Sequence, residues 1–229
     1  MIKTHKELAT QIAGKNILHL NSLGKDSILC LEWLTKFAHP SKIISVFMQT
    51  FAPHPDDEKY LNYLFDRYPS VKFIVEPNPH NITRMCLGHY QSPLDVMNFY
   101  NPLEYDMFDF DSMVQDLKNE HGCDYICKGH SRSESFRRAT EFHKKGILID
   151  DVIYPLGMMA KKEIMGLIKS TGFKLHPVYK LSAATLDQPS YFKYRSTFLA
   201  KPEYEKQMYE IYPLLELDKY RWEVLFNKR

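Results

Sequence analysis

The chain has 229 residues, a formal net charge of +2, 44% hydrophobic residues and 25% charged residues. This is enough for one well-packed domain with an added segment, in a composition ordinary for a globular protein. The near-neutral charge excludes the overall electrostatic footprint of a nucleic-acid binder, and no apolar run approaches the roughly 20 residues that span a bilayer.

In chain order, residues 3–14 read as a leading helix and 16–20 as a first, apolar strand. A loop, Asn21-Ser22-Leu23-Gly24-Lys25-Asp26-Ser27, then leads into a helix over 27–37, fully under way at about Ile28. A buried strand is expected at 43–49. Pro53-His54-Pro55 breaks the chain before an amphipathic helix at 56–68 with acidic residues in its first turn. A third strand follows at 71–76. Four prolines mark 77–102 as an irregular excursion, and 103–120 is helical. The fourth strand, 125–128, ends at Gly129, and the last is expected at 152–155. Helix 160–171 is closed by Gly172, a good C-terminal signal. The alternation of short strands with helices predicts βαβ units and a mostly parallel sheet. From Leu181 onward aromatics become frequent. The expected architecture is α/β: a Rossmann-like, doubly wound, mostly parallel five-stranded sheet over 1–180, with an aromatic-rich helical extension at 181–229.

The loop at 21–27 is the most informative stretch. A glycine-bearing loop between a strand and a helix N-terminus offers backbone N–H groups and the positive end of the helix dipole to a phosphate. Gly24 permits close approach, Lys25 adds a mobile cation, and Ser22 and Ser27 can donate hydroxyl hydrogen bonds. Asp26 is unusual beside a phosphate unless it holds Mg²⁺ or caps the helix. A Walker A loop needs Gly-x-x-x-x-Gly-Lys-Ser/Thr, and this chain has His19 where that pattern begins.

The loop resembles the PP-loop, Ser-x-Gly-x-Asp-Ser, of the ATP pyrophosphatases and the phosphoadenylyl-sulfate (PAPS) reductase-like family. Leu23 stands where many PP-loops carry Gly. Gln49-Thr50-Phe51 and Pro55-Asp56-Asp57-Glu58 loosely resemble the family's Asp-Thr-Gly and Pro-Glu-Thr elements, with Gln49 for Asp and no Gly. In such folds this strand end lies near the adenine, so the backbone of Val46 to Met48 either meets the base or is a buried strand end without a ligand. The segment from Gly129 to Arg138 resembles Gly-x-Arg-x-x-Glu-Ser-x-x-Arg. Gly129, Glu134, Ser135 and Arg138 match in spacing; Ser131 takes the place of the first Arg, and Arg132 comes one residue late. A solvated helix start is the competing reading. The final match runs from Tyr154-Pro155-Leu156 to Pro177-Val178-Tyr179, with Lys161 and Lys162 either anion contacts or solvated.

The resemblance, which covers residues 16 to about 180, implies an adenine nucleotide alpha hydrolase-like fold. It also implies cleavage of ATP to AMP and pyrophosphate to adenylate an acceptor, with Mg²⁺. It assigns catalytic roles to Lys25, Asp26 and Arg138. Nucleotide contacts fall to Asn21, Ser22, Leu23, Gly24, Lys25, Asp26, Ser27, Met48, Gly129 and Arg132, with Asp26 as the magnesium ligand. Alternatives are an FAD synthetase-like adenylyltransferase, a sulfonucleotide (PAPS)-binding enzyme, and a nucleotide-binding subunit of a nucleic-acid modification complex. No cysteine follows Cys127, so the catalytic cysteine of the true reductases is missing. Cys30, Cys86, Cys123 and Cys127 suit a reducing compartment, and no iron–sulfur cluster is expected from them. With no apolar signal-peptide region near Met1, the expected setting is cytoplasmic.

His19 is expected to point into the surroundings of the sheet. His130 is either a candidate general base or structural. The aromatic tail, with its interleaved Lys and Arg, either stacks on nucleic-acid bases or packs against the core or a second copy of the chain.

Overall fold

The computed structural model describes residues 1–50, 52–79, 109–182 and 190–226. Most of the excursion at 77–102, the start of the helix at 103–120 and Cys86 lie outside these residues. The chain divides into two compact units. The first comprises Met1–Phe47, Tyr60–Val75 and Val114–His176, and the second Met48–Lys59, Glu76–Met113 and Pro177–Arg229.

Helix α1 (His5–Ile12) opens on a reciprocal cap: Glu7 N–H donates to Thr4 Oγ1, and Glu7 Oε2 accepts from the Thr4 backbone. Strand β1 (Asn16–Asn21) leads to α2 (Lys25–Trp33), followed by a π-helical turn at Leu34–Ala38. Next come β2 (Lys42–Gln49), α3 (Asp57–Arg67), β3 (Lys72–Pro77), α4 (Phe110–Glu120) and β4 (Tyr125–Cys127). Then follow α5 (Phe136–Lys145), β5 (Leu148–Ile149), β6 (Val152–Ile153) and α6 (Lys161–Thr171). Gly172 ends α6 in the left-handed region, as its position in the sequence suggests.

The strands form one sheet in the order β3-β2-β1-β4-β6-β5. β1 runs parallel to β2 (Ile17 opposite Ile43) and to β4 (Ile17 opposite Tyr125), and β4 runs parallel to β6. β5 is antiparallel to β6 and is the strand beyond the five expected. Two residues are too few to carry a hydrophobic alternation. Ile17, Leu18 and His19 are all buried, as a central strand covered on both faces requires.

Glu32 anchors α2 to α3. Its carboxylate, only 1% exposed, pairs with Arg67 at 3.0 Å and Lys36, and accepts from Tyr68 Oη at 2.5 Å. Burial alone would raise this carboxyl, but Lys36, Tyr68 and Arg67 together hold it below the usual range.

In the second unit, α7 (Tyr191–Ala200), α8 (Pro202–Ile211) and α9 (Leu215–Phe226) bury Tyr191, Tyr194, Phe198, Tyr204, Met208, Tyr212 and Leu215 in one cluster with Ala52. Tyr204 Oη donates to the Ala52 carbonyl at 2.9 Å, and Lys201 pairs with Asp56 at 2.6 Å. Most of the tail's larger aromatics are therefore this unit's own core. Among the described residues no helix is long and apolar enough to cross a membrane.

Candidate nucleotide-binding site

β1 is flanked by β2 on one side and β4 on the other, so the strand order reverses beside it. Ligands of open α/β sheets bind outside the carboxyl ends of strands at such a switch point. The loop after β1 and the segment after β4 both leave from that edge.

Gly24, extended at φ −79° and ψ 155°, is the N-cap of α2, and Ile28 N–H donates to its carbonyl at 3.0 Å. The helix thus begins at Lys25, two residues before the Ser27 expected from sequence. An apolar run marks where a helix becomes buried, whereas capping decides where it starts. Lys25, Asp26 and Ser27 form the first turn, whose N–H groups have no intrahelical acceptor and face the loop.

The loop is tied by its own side chains. Leu23 N–H donates to Asn21 Oδ1 at 2.8 Å, and Gly24 N–H to Ser22 Oγ at 3.3 Å. Ser27 Oγ donates to the Gly24 carbonyl at 2.9 Å and accepts from Ser22 N–H at 3.3 Å. Leu23 adopts φ +56° while remaining buried. That left-handed conformation gives a physical reason why many PP-loops carry glycine at the corresponding position, since a side chain there costs roughly 1–2 kcal/mol.

Beneath the loop runs a buried polar chain that the sequence did not reveal. His19 Nε2 lies 2.9 Å from the Ser27 carbonyl, which can only accept, so Nε2 carries the hydrogen. Its Nδ1 then accepts from Ser45 Oγ at 3.0 Å, and Ser45 Oγ accepts from Asn21 Nδ2 at 3.3 Å. Burial pushes the His19 pKa down to about 4. His19 therefore faces the loop's helix and not the general surroundings of the sheet. The available signal was a histidine inside a strand apolar on both faces; its partner Ser45 lies 26 residues away.

Asp26 Oδ2 pairs with Lys25 Nζ. Asp26 Oδ1 is buried without a hydrogen-bond partner among the described residues. An orphaned carboxylate oxygen in the first turn of a helix fits a hard cation such as Mg²⁺, which takes carboxylate and phosphate oxygens.

Gly129 closes one wall. A Cβ added there would lie 2.9 Å from Ser27 N and 3.1 Å from Ser27 Cα, so only glycine lets the two backbones meet. The structure thus brings Gly129 together with Asn21 to Ser27. Arg138 lies in the first turn of α5, ion-paired with Glu134 and 3.3 Å from His130 Nε2. Burial, and then the charges of Arg138 and Lys128, push the His130 pKa down to about 4. Arg132 is exposed, 3.9 Å from Glu163, with its N–H donated to the Gly157 carbonyl. Met48, the penultimate residue of β2, falls in the second unit.

Cys30 and Cys127 are fully buried, and the Cys30 thiol is 3.9 Å from the Lys128 carbonyl. Burial and the neighbouring Cys127 push the Cys30 thiol up, away from the reactive thiolate. Cys123 lies beyond the other end of β4, and among the described residues no three cysteines converge on one point.

No family model matches the chain, and no curated protein matches it. The fold is similar to the U34-tRNA thiolase NcsA from Methanococcus maripaludis, solved with its [4Fe-4S] cluster. That match has 13% identity and a TM-score of 0.50, and covers 92% of this chain and 77% of that one. It is also similar to the NH₃-dependent NAD synthetase from Campylobacter jejuni subsp. jejuni NCTC 11168 in complex with nitrate ion. Here identity is 14% and the TM-score 0.50, covering 93% of this chain and 90% of that one. At such identities the likeness establishes the fold: a Rossmann-like, mostly parallel α/β sheet of the adenine nucleotide alpha hydrolase kind, with a helical C-terminal region.

Proposed function

We propose that the chain is a PP-loop enzyme that cleaves ATP between its α and β phosphates and transfers AMP to an acceptor, releasing pyrophosphate. The carrying observation is the first turn of α2, with Gly24 as its cap and Gly129 packed against its backbone. In this reading the first-turn N–H groups, the Ser22 hydroxyl and Lys25 hold the pyrophosphate oxygens, while Ser27 Oγ ties the loop through the Gly24 carbonyl. The barrier is dominated by charge repulsion and leaving-group charge, so fixed donors at the helix start supply catalysis through positioning and electrostatics. Asp26 Oδ1 would hold Mg²⁺, which when bound neutralises charge on the leaving pyrophosphate. The Arg138 guanidinium, oriented by Glu134, lies next to His130 and serves the α-phosphate or the acceptor. The similar structures, a tRNA thiolase and an NAD synthetase by name, are in keeping with ATP-dependent chemistry.

Calorimetric titration with ATP, adenylyl sulfate and its 3′-phosphorylated form, each with Mg²⁺, tests the reading. Preference for ATP is the expected result. Preference for a sulfonucleotide, or binding of none of the three, overturns it.

A further inference from the structure

Helix α5 begins seven residues after Gly129 has passed Ser27, and its outer face is unusual. It carries Arg137, Arg138, His143, Lys144 and Lys145 against Glu141 alone. Arg138 is taken up by Glu134, and Lys145 lies 3.4 Å from Glu141. Among the described residues no ion pair holds Arg137 or Lys144. Phe136, in the first turn, is 89% exposed, far more than a ring of that size normally is. Phe136, Thr140 and Lys144 form one row at four-residue spacing, and Arg137, Glu141 and Lys145 form the next. Between them lies an open groove of about 380 Å³.

We propose that this groove docks single-stranded RNA. An exposed ring flanked by cations suits an unpaired base stacked beside its phosphates, and duplex bases cannot present that face. From Phe136 to Lys144 the helix rises roughly 12 Å, enough for about three stacked nucleotides at ~3.4 Å each. Thr140 favours RNA over DNA. Its hydroxyl already donates to the Phe136 carbonyl at 3.0 Å, which leaves the oxygen to accept a hydrogen bond. A ribose 2′-hydroxyl can donate that bond, and deoxyribose cannot.

The test is fluorescence anisotropy with labelled 12-nucleotide RNA and DNA of one mixed sequence, single-stranded and duplex. Wild type is compared with Phe136→Ala and with the double variant Arg137→Gln/Lys144→Gln. Expected is binding of single-stranded RNA ahead of DNA and of duplex, weakened about tenfold or more in Phe136→Ala. The double variant should lower the slope of log affinity against log salt by about 1.4, the value for two phosphates on a single strand. Undiminished binding by Phe136→Ala, an unchanged salt slope, or equal binding of DNA or duplex overturns the proposal. ATP titration of the same proteins separates the two readings. Lost RNA binding with normal ATP binding in the variants places the failure in the groove. RNA binding without ATP binding in wild type removes the adenylation reading and leaves the docking face standing.

Discussion

The imidazole of His19 donates from Nε2 to the Ser27 carbonyl at 2.9 Å, fastening the middle of β1 to the first turn of α2. The group is neutral in the fold, with a pKa of about 4 against an ordinary 6.5. Between those values the unfolded chain binds a proton that the folded chain refuses. The contribution is therefore complete above about pH 6.5 and is lost as pH falls toward 4, amounting to about 3 kcal/mol. His130 titrates in the same direction. His19→Gln keeps a donor and an acceptor in place but cannot titrate. Urea unfolding at pH 7 and pH 5 should show a smaller loss of stability in the variant than in wild type. Equal losses would contradict a buried neutral imidazole.

Leu23 sets two costs against each other. Its side chain is 4% exposed, so truncation removes a buried aliphatic group, at about 2–5 kcal/mol. Its φ of +56° is one that only glycine adopts freely. Leu23→Ala loses the burial and keeps the strain, while Leu23→Gly loses the burial and releases it. We expect Leu23→Gly to be at least as stable as Leu23→Ala in chemical denaturation, by up to ~1 kcal/mol. In a relaxed backbone the order reverses, because glycine has more conformational entropy to lose.

Gly129→Ala drives a Cβ into the backbone of Ser27, which no side-chain rotation can relieve. The loop must shift at the first turn of α2. Nucleotide affinity measured by calorimetry should fall more than tenfold, with about 1–3 kcal/mol of stability lost. Wild-type affinity in this variant would mean that the close approach plays no part in the site.

Asp26→Asn removes the charge but keeps the shape, and Lys25→Ala removes the cation beside it. Both side chains are about a quarter exposed, so the fold should survive with a melting temperature within a few degrees of wild type. Magnesium-dependent ATP turnover should be abolished in each. Retained turnover in both removes the loop from the chemistry.

The strand-and-helix frame was legible because its signals are local. The apolar stretches at β1, β2 and β4 and the left-handed Gly172 each depend on residues within a few positions. The loop was legible for the same reason, since Gly24 and its neighbours are contiguous. Three features were not. His19 depends on Ser45 in the adjacent strand, and the close approach of Gly129, itself matched by spacing, on a backbone about 100 residues upstream. The early start of α2 depends on the cap at Gly24 and not on hydrophobic periodicity. The tail was open to base stacking or to packing, and its larger aromatics are mostly consumed in the second unit's own cluster.

The pairing of β1 with β4 has a consequence for synthesis. Asn16 is joined to Asp124, 108 positions away, and Ile17 stands opposite Tyr125. Contacts of such sequence separation form late, because a long stretch of chain must first be closed. At about 5–20 residues per second, the ribosome delivers β4 roughly 5–20 seconds after β1. During that interval one edge of a strand carrying Ile17, Leu18 and Leu20 has no partner, and it offers a template to other chains. Crowded expression should thus threaten this protein most while the switch point beside β1 is still only half made.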